Sequence, residues 1–178
     1  MGKLPIGDIS PCEVVFDFGV GPSFLNLNLS PFLDKVSLKR DDSIQKVFEE
    51  GFGDAAVDAV FSGAVYDLTI PMTRSSWVKL AAVLPGCTIV GGALVMANKC
   101  GGNMYDDAYY IIIKPMVDLV PSPDEATWTH LYKCYPYAAW EVGWARDGQR
   151  VFATKWMVFP SQDTPTLGKF GHFGDLTP

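Results

Sequence analysis

Period-two alternation, cut at short intervals by glycine and proline, limits this chain more than any other feature. Leu25, Leu27 and Leu29 alternate with Asn26 and Asn28 before Ser30-Pro31, and Val36 and Leu38 alternate with Lys35, Ser37 and Lys39. Side chains that recur every second residue share a face only in a strand, so both segments read as strands with one wet face. Cys12 to Phe18 reads as a strand closed at Gly19, Gly21 and Pro22. Thr88 to Ala97 and Ala108 to Pro115 read as two more. His130 to Trp144 and Gln149 to Phe159 flank Arg146-Asp147-Gly148, whose Asp-Gly step suits a hairpin turn. In Val57 to Ile70 the apolar face runs through Val57, Ala59 and Phe61, then moves at Ser62-Gly63 to Ala64, Tyr66, Leu68 and Ile70. A one-residue shift at a glycine predicts a β-bulge.

One segment has the other period. Trp77, Leu80, Ala81 and Leu84 fall at helical spacing behind Thr73 or Ser75 as caps, and Pro85-Gly86 stops the run, which predicts a helix over about Arg74 to Leu84. The total is eight or nine strands and one helix, with no strand-helix alternation of the parallel α/β kind. The expected fold is mainly β: a β-sandwich or partly closed barrel with extended termini. At 178 residues the chain has room for one domain, placed at residues 1–160. Within it, residues 41–56 read as an irregular acidic flap, either a short helix or an extended loop that turns at Gly51 and Gly53. Residues 161–178, rich in Gly and Pro, read as a C-terminal extension that floats or docks on something else. Aromatic residues at 13%, with 17 Gly and 13 Pro, agree with a β-rich fold.

Composition removes several function classes. A net charge of −6 has the wrong sign for a surface that grips nucleic-acid phosphates. No run of eighteen apolar residues exists to cross a membrane, and Pro5, Asp8 and Pro11 stand where a signal peptide needs an apolar stretch, so cytosolic synthesis is expected. Cys12, Cys87, Cys100 and Cys134 form no C-x-x-C pair and read as reduced, mostly buried thiols.

Catalytic and cofactor signatures are equally sparse, and no catalytic, cofactor or metal residue is assigned. His130 and Cys134 lie four apart, but on a strand that spacing spans about 13 Å, too far for a nucleophile and its base. His172 sits between aromatic neighbours in the extension and reads as a partner contact. Asp41-Asp42, Glu49-Glu50 and Asp106-Asp107 lack the spacing of a calcium loop. Gly19-Val20-Gly21 and Gly91-Gly92 precede no helix and carry no phosphate-binding lysine. Trp77, Trp128, Trp140, Trp144 and Trp156 read mainly as core, with a sugar- or ligand-binding cleft as the alternative.

The order of features resembles the tail tube (major tail) proteins of long-tailed bacteriophages and phage-like particles. The likeness rests on GDAAVDAVFSGAVYDLTIPM at Gly53 to Met72, followed by the helix ending LAAVLPG at Leu80 to Gly86. Ile111 to Pro115, Val120 to Asp124 and Val158 to Asp163 look like the family's later strand, connection and closing hairpin. The resemblance covers Lys35 to Asp163 and is one of residue type. It implies a virion structural protein whose hexameric rings stack into a hollow tail tube for genome passage. The expected partners are copies of itself, other tail proteins and transiently passing DNA, with no cofactor and no membrane. In that reading Asp41, Asp42, Ile44, Val47, Phe48, Glu49 and Glu50 contact the next ring. Phe170, His172 and Phe173 form a docking arm, and Lys35, Ser37 and Lys39 lie on a lumen strand. The alternatives are a joining or terminator protein that forms a single ring, and a monomeric ligand- or carbohydrate-binding β-sandwich.

Overall fold

A computed structural model describes residues 12–17, 19, 25, 27–29, 36–48, 56–72, 77–97, 101–118, 120–137, 141–142 and 152–176. The chain is mainly β with one α-helix. In order, the elements are β1 (Cys12–Phe16), β2 (Leu27–Asn28), β3 (Ser37–Phe48), β4 (Ala56–Met72), α1 (Trp77–Val83), β5 (Cys87–Val90), β6 (Ala93–Met96), β7 (Tyr109–Val117), β8 (Val120–Pro121), β9 (Thr129–Pro136), β10 (Glu141–Val142), β11 (Phe152–Phe159) and β12 (Gly171–Phe173). A 3-10 turn, Glu125–Thr127, precedes β9 and is capped by the Asp124 carboxylate.

The main sheet runs β2-β1-β7-β9-β11-β4-β3, every neighbouring pair antiparallel, with β8, β10 and β12 pairing along it. It does not close into a barrel. It is strongly curled all the same. Phe16 on β1 and Trp156 on β11 stand three strand positions apart, about 14 Å in a flat sheet, yet their rings lie 5.6 Å apart. The concave face holds the core: Val14, Phe16, Leu68, Ile70, Met72, Ile111, Leu131, Cys134, Trp156 and Val158. Helix α1 adds Leu80 and Val83 to this core. Seven residues are too few to hold a helix alone, so α1 owes its shape to that burial.

The bulge lies where the sequence places it. Ser43 pairs with Gly63 and Ile44 with Phe61, which leaves Ser62 as the extra residue, and Gly63 adopts φ 142, a value that excludes most side chains. Both hairpin arms around Arg146 to Gly148 also form, β11 pairing with β9 and β10, while the turn itself lies outside the described residues.

Four expectations need correction. Residues 41–48 are not an irregular flap: β3 continues through them, paired with β4 as far as Ala56. Both faces of that ribbon meet water, so its hydrophobicity has no period two to detect. Thr88 to Ala97 is not one strand but the hairpin β5-β6, because Gly91 and Gly92 both take positive φ (57 and 83), the requirement of a tight two-residue turn. Helix α1, described over Trp77–Val83, stops one residue short of Leu84, and its expected start at Arg74 lies outside the described residues. The segment after Pro160 is not a separate tail, since β12 pairs with β9 in the main sheet.

Trp156 is fully buried with a polar edge to satisfy. Its Nε1 donates to Thr154 Oγ1 at 2.9 Å, and that hydroxyl donates onward to the Ile70 carbonyl at 2.9 Å. Thr154→Val keeps the shape and strands the indole N–H, so it is expected to lower unfolding free energy by about 1–3 kcal/mol. Chemical denaturation checks this, and a loss below about 0.5 kcal/mol, the ordinary surface range, would show the relay to be dispensable.

Candidate interaction surfaces

Past Leu38 and Leu68 the β3-β4 pair leaves the core behind. Every residue from Lys39 to Phe48 is exposed. Ile44 and Phe61 face each other in register at 58% and 56% exposure, and Phe48 further along is 58% exposed. Val47, Val60 and Val65 are exposed as well. Among the described residues β3 is also the last strand of the sheet, so its outer edge carries backbone N–H and C=O groups that no described strand pairs. An apolar, two-residue-wide ribbon with an open edge is a surface that sticks.

The charges at its base are matched within the strand. Lys39 Nζ meets Asp41 Oδ2 at 2.7 Å, and Arg40 Nε meets Asp42 Oδ1 at 2.5 Å. The Asp41 hydrogen bond and charge hold the Lys39 ammonium above the usual lysine range, and Asp42 does the same for Arg40. The Arg40 guanidinium also lies near the rings of Phe61 (5.9 Å) and Tyr66 (5.8 Å). These exposed pairs add little stability, and with Asp67 in register opposite Lys39 their carboxylates more than offset the two basic side chains at the ribbon base.

The remaining expected residues divide three ways. Glu49, Glu50 and Lys35 lie outside the described residues. Ser37 is half-buried opposite Thr69. Within the C-terminal arm, Phe170 packs on Tyr66 with rings 4.7 Å apart, against the periphery of the core, while Phe173 is 76% exposed. The arm therefore docks on its own chain. Its three aromatic positions do different things: Phe170 packs, His172 pairs with a partner described next, and Phe173 faces solvent.

A second cluster lies on the convex face of the sheet. Asn28, Val15, Ile112, His130 and His172 occupy one line across β2, β1, β7, β9 and β12. The chain has two histidines, and this register brings them together: their rings stack at 4.2 Å, 6° from parallel. Tyr110 Oη lies 2.7 Å from His130 Nδ1, and Tyr132 Oη lies 2.8 Å from His172 Nδ1. The two tyrosine rings are themselves stacked at 5.9 Å. Burial, then the charge of His172, holds His130 below the usual histidine value; burial does the same for His172. Burial pushes Tyr110 up to about 12, so its hydroxyl keeps its proton. Sequence reading missed this pair because 42 positions separate two residues that only a three-residue strand brings into register.

The enzyme-like arrangements do not assemble among the described residues. His130 points to the convex face while Cys134 is buried in the core, its thiol pushed far up by burial. An open pocket beside α1 is lined by Pro85, Cys87, Asp107, Tyr109 and Tyr135, but burial raises the Cys87 thiol, the wrong direction for a nucleophile. No group of three metal-ligating side chains occurs among the described residues. Trp156 is core, Trp128 donates to the Ser122 carbonyl at 2.8 Å beneath Lys114, and Trp77 is exposed on α1. They line no common cleft, and Trp140 and Trp144 lie outside the described residues.

Compared with known proteins, the sequence matches no family model and no curated protein.

The docked arm has a direct test. Phe170→Ala is expected to cost about 1–3 kcal/mol of stability, less than the 3–5 of a fully buried phenylalanine, and Phe173→Ala less than about 0.5. Thermal or urea unfolding distinguishes them, and two equally silent variants would mean the arm is not packed.

Proposed function

We propose that this chain is a self-assembling structural subunit of a hollow tube, of the type formed by phage tail tube proteins, with hexameric rings stacked for genome passage in a virion tail. The β3-β4 ribbon carries the reading. A monomeric protein seldom leaves a twelve-residue edge strand exposed with Ile44, Val47 and Phe48 along it, because such an edge pairs indiscriminately. A second copy is the occupant that the sheet favours. Among the described residues the sheet ends in two different edges, β2 and β3, and joining the β3 side of one copy to the β2 side of the next is a head-to-tail contact, the kind that makes a ring when its rotation closes. The ribbon beyond the core would then reach past its own subunit, where its apolar side chains find cover against an adjacent ring.

Charge is compatible with this role. Each copy carries −6, which repels passing phosphates, and Lys39 and Arg40, basic residues on the expected lumen strand, are offset by Asp41 and Asp42. The absence of an assembled nucleophile or metal group among the described residues fits a structural role but does not argue for one by itself.

The test is assembly. Light scattering and negative-stain electron microscopy of the concentrated protein are expected to give rings or tubes with a central hole. Ile44→Asp with Phe61→Asp puts two like charges opposite each other in the exposed ribbon, so it should cost about 1–2 kcal/mol, leave the core folded and abolish the assemblies. A native protein that stays monomeric when concentrated, or a double variant that assembles like the native chain, would overturn the proposal.

A further inference from the structure

The stacked histidines sit where the C-terminal arm joins the sheet. Strand β12 has three residues in register with β9: Gly171 opposite Leu131, His172 opposite His130 and Phe173 opposite Thr129. It occupies the side of β9 that β11 leaves after Phe159, which pairs with Lys133. Backbone bonds flank it, Tyr132 N–H donating to the Phe170 carbonyl at 3.1 Å and Gly174 N–H to the Trp128 carbonyl at 2.8 Å. So short a strand relies on its side chains, and the central one is His172.

We propose that His130 and His172 form an acid-sensitive latch that holds the arm on the sheet at neutral pH and releases it as the pair becomes protonated, uncovering the β9 edge at Thr129 to Leu131. Two neutral imidazoles stack favourably at 4.2 Å; two imidazolium ions at that distance repel. In the doubly protonated pair each Nδ1 carries a proton, so the Tyr110 and Tyr132 hydroxyls can only accept there.

The surrounding charges are mixed. On β7, the Lys114 ammonium opposes a charge on His130, although it also faces the Trp128 ring at 4.2 Å and Glu13 on β1 at 4.0 Å. On the arm, Lys169 opposes a charge on His172, while Asp175 favours the charged form of both rings. Burial is the largest influence on each ring and also favours the neutral form. The direction follows. The docked state binds its protons more weakly than the released state, in which His172 leaves its partly buried place and His130 loses its stacked neighbour, so the docked pair stays neutral to lower pH. Docking is therefore complete above the ordinary histidine value and is lost as pH falls below it through the lowered values of the docked pair.

Gly171 supplies an independent handle. A Cβ at this position would lie 2.0 Å from the His130 carbonyl oxygen, so only glycine lets the arm approach β9. Hydrogen exchange of the full-length chain, corrected for the intrinsic pH dependence of exchange, reads the latch at pH 7.5 and pH 5.5. Protection of the Gly174 and Tyr132 amides, which bond across the β12-β9 seam, is expected to fall at least about threefold at the lower pH. His172→Phe keeps a flat ring, removes the repulsion between two charged rings and leaves only His130 to titrate, so its loss of protection at the lower pH should be clearly smaller than the native one. Gly171→Ala should show the released pattern at both pH values, with the sheet's other amides still protected. Equal protection of the native arm at the two pH values would overturn the latch, as would a loss in His172→Phe as large as the native one. Should Gly171→Ala fail to fold, the comparison of native chain and His172→Phe decides alone.

Discussion

The curl of the main sheet depends on the burial of one indole. Trp156 lies on the concave face of β11, fully enclosed, and its ring meets Phe16 from a strand three positions away. An enclosed indole needs both a large apolar surround and an acceptor for its N–H. The first requirement draws β1 across the sheet; the second is met by Thr154, which ties the same strand to the Ile70 carbonyl of β4. One side chain thus joins the curvature of the sheet to the register of its central pair. Helix α1 and the β5-β6 hairpin then close over what the curl leaves open, supplying Leu80, Val83 and the partly buried Cys87 and Leu94.

The same sheet is built to two standards. Near Leu68 and Ile70 it is a packed layer with one face in the core. Beyond the bulge at Ser62 it is a free ribbon whose residues touch little outside their own pair. The bulge marks this boundary: β4 changes which of its residues face the concave side, so Phe61 rather than Ser62 continues the line of Ala64 and Tyr66. An apolar stripe therefore runs unbroken from the core out onto the exposed arm of the ribbon. That continuity is why the exposed part reads as an interaction surface and not as a loop.

What could be read from the sequence follows burial. Strand β11, with Thr154, Trp156 and Val158 buried and Lys155 exposed, has one buried face and alternates, whereas β1 and β7 bury consecutive residues and are legible as apolar runs bounded by turn residues; the bulge was visible because the alternation changed phase at a glycine. The hairpin around Gly91 and Gly92 was missed because apolar residues stand on both sides of the turn and read as one run. The outer half of β3 was missed for the opposite reason, since Lys39 to Lys46 has no buried face to impose a pattern. Individual ribbon positions such as Ile44 and Phe48 were nonetheless identified as contact residues, and they are exposed. The histidine pair left no local trace: His130 is set by β9 and His172 by an arm whose glycine-rich composition hides a strand.

The position beside β9 is filled twice. Strand β11 occupies it along Lys133 to Pro136, and after the chain departs at Pro160 it returns to fill the rest as β12. A single row of backbone groups is thereby divided between a segment locked into the core and one held at the surface. The first portion serves the curl around Trp156, the second the histidine pair and the packing of Phe170 on Tyr66, so the border between a buried seam and a surface seam falls within one strand.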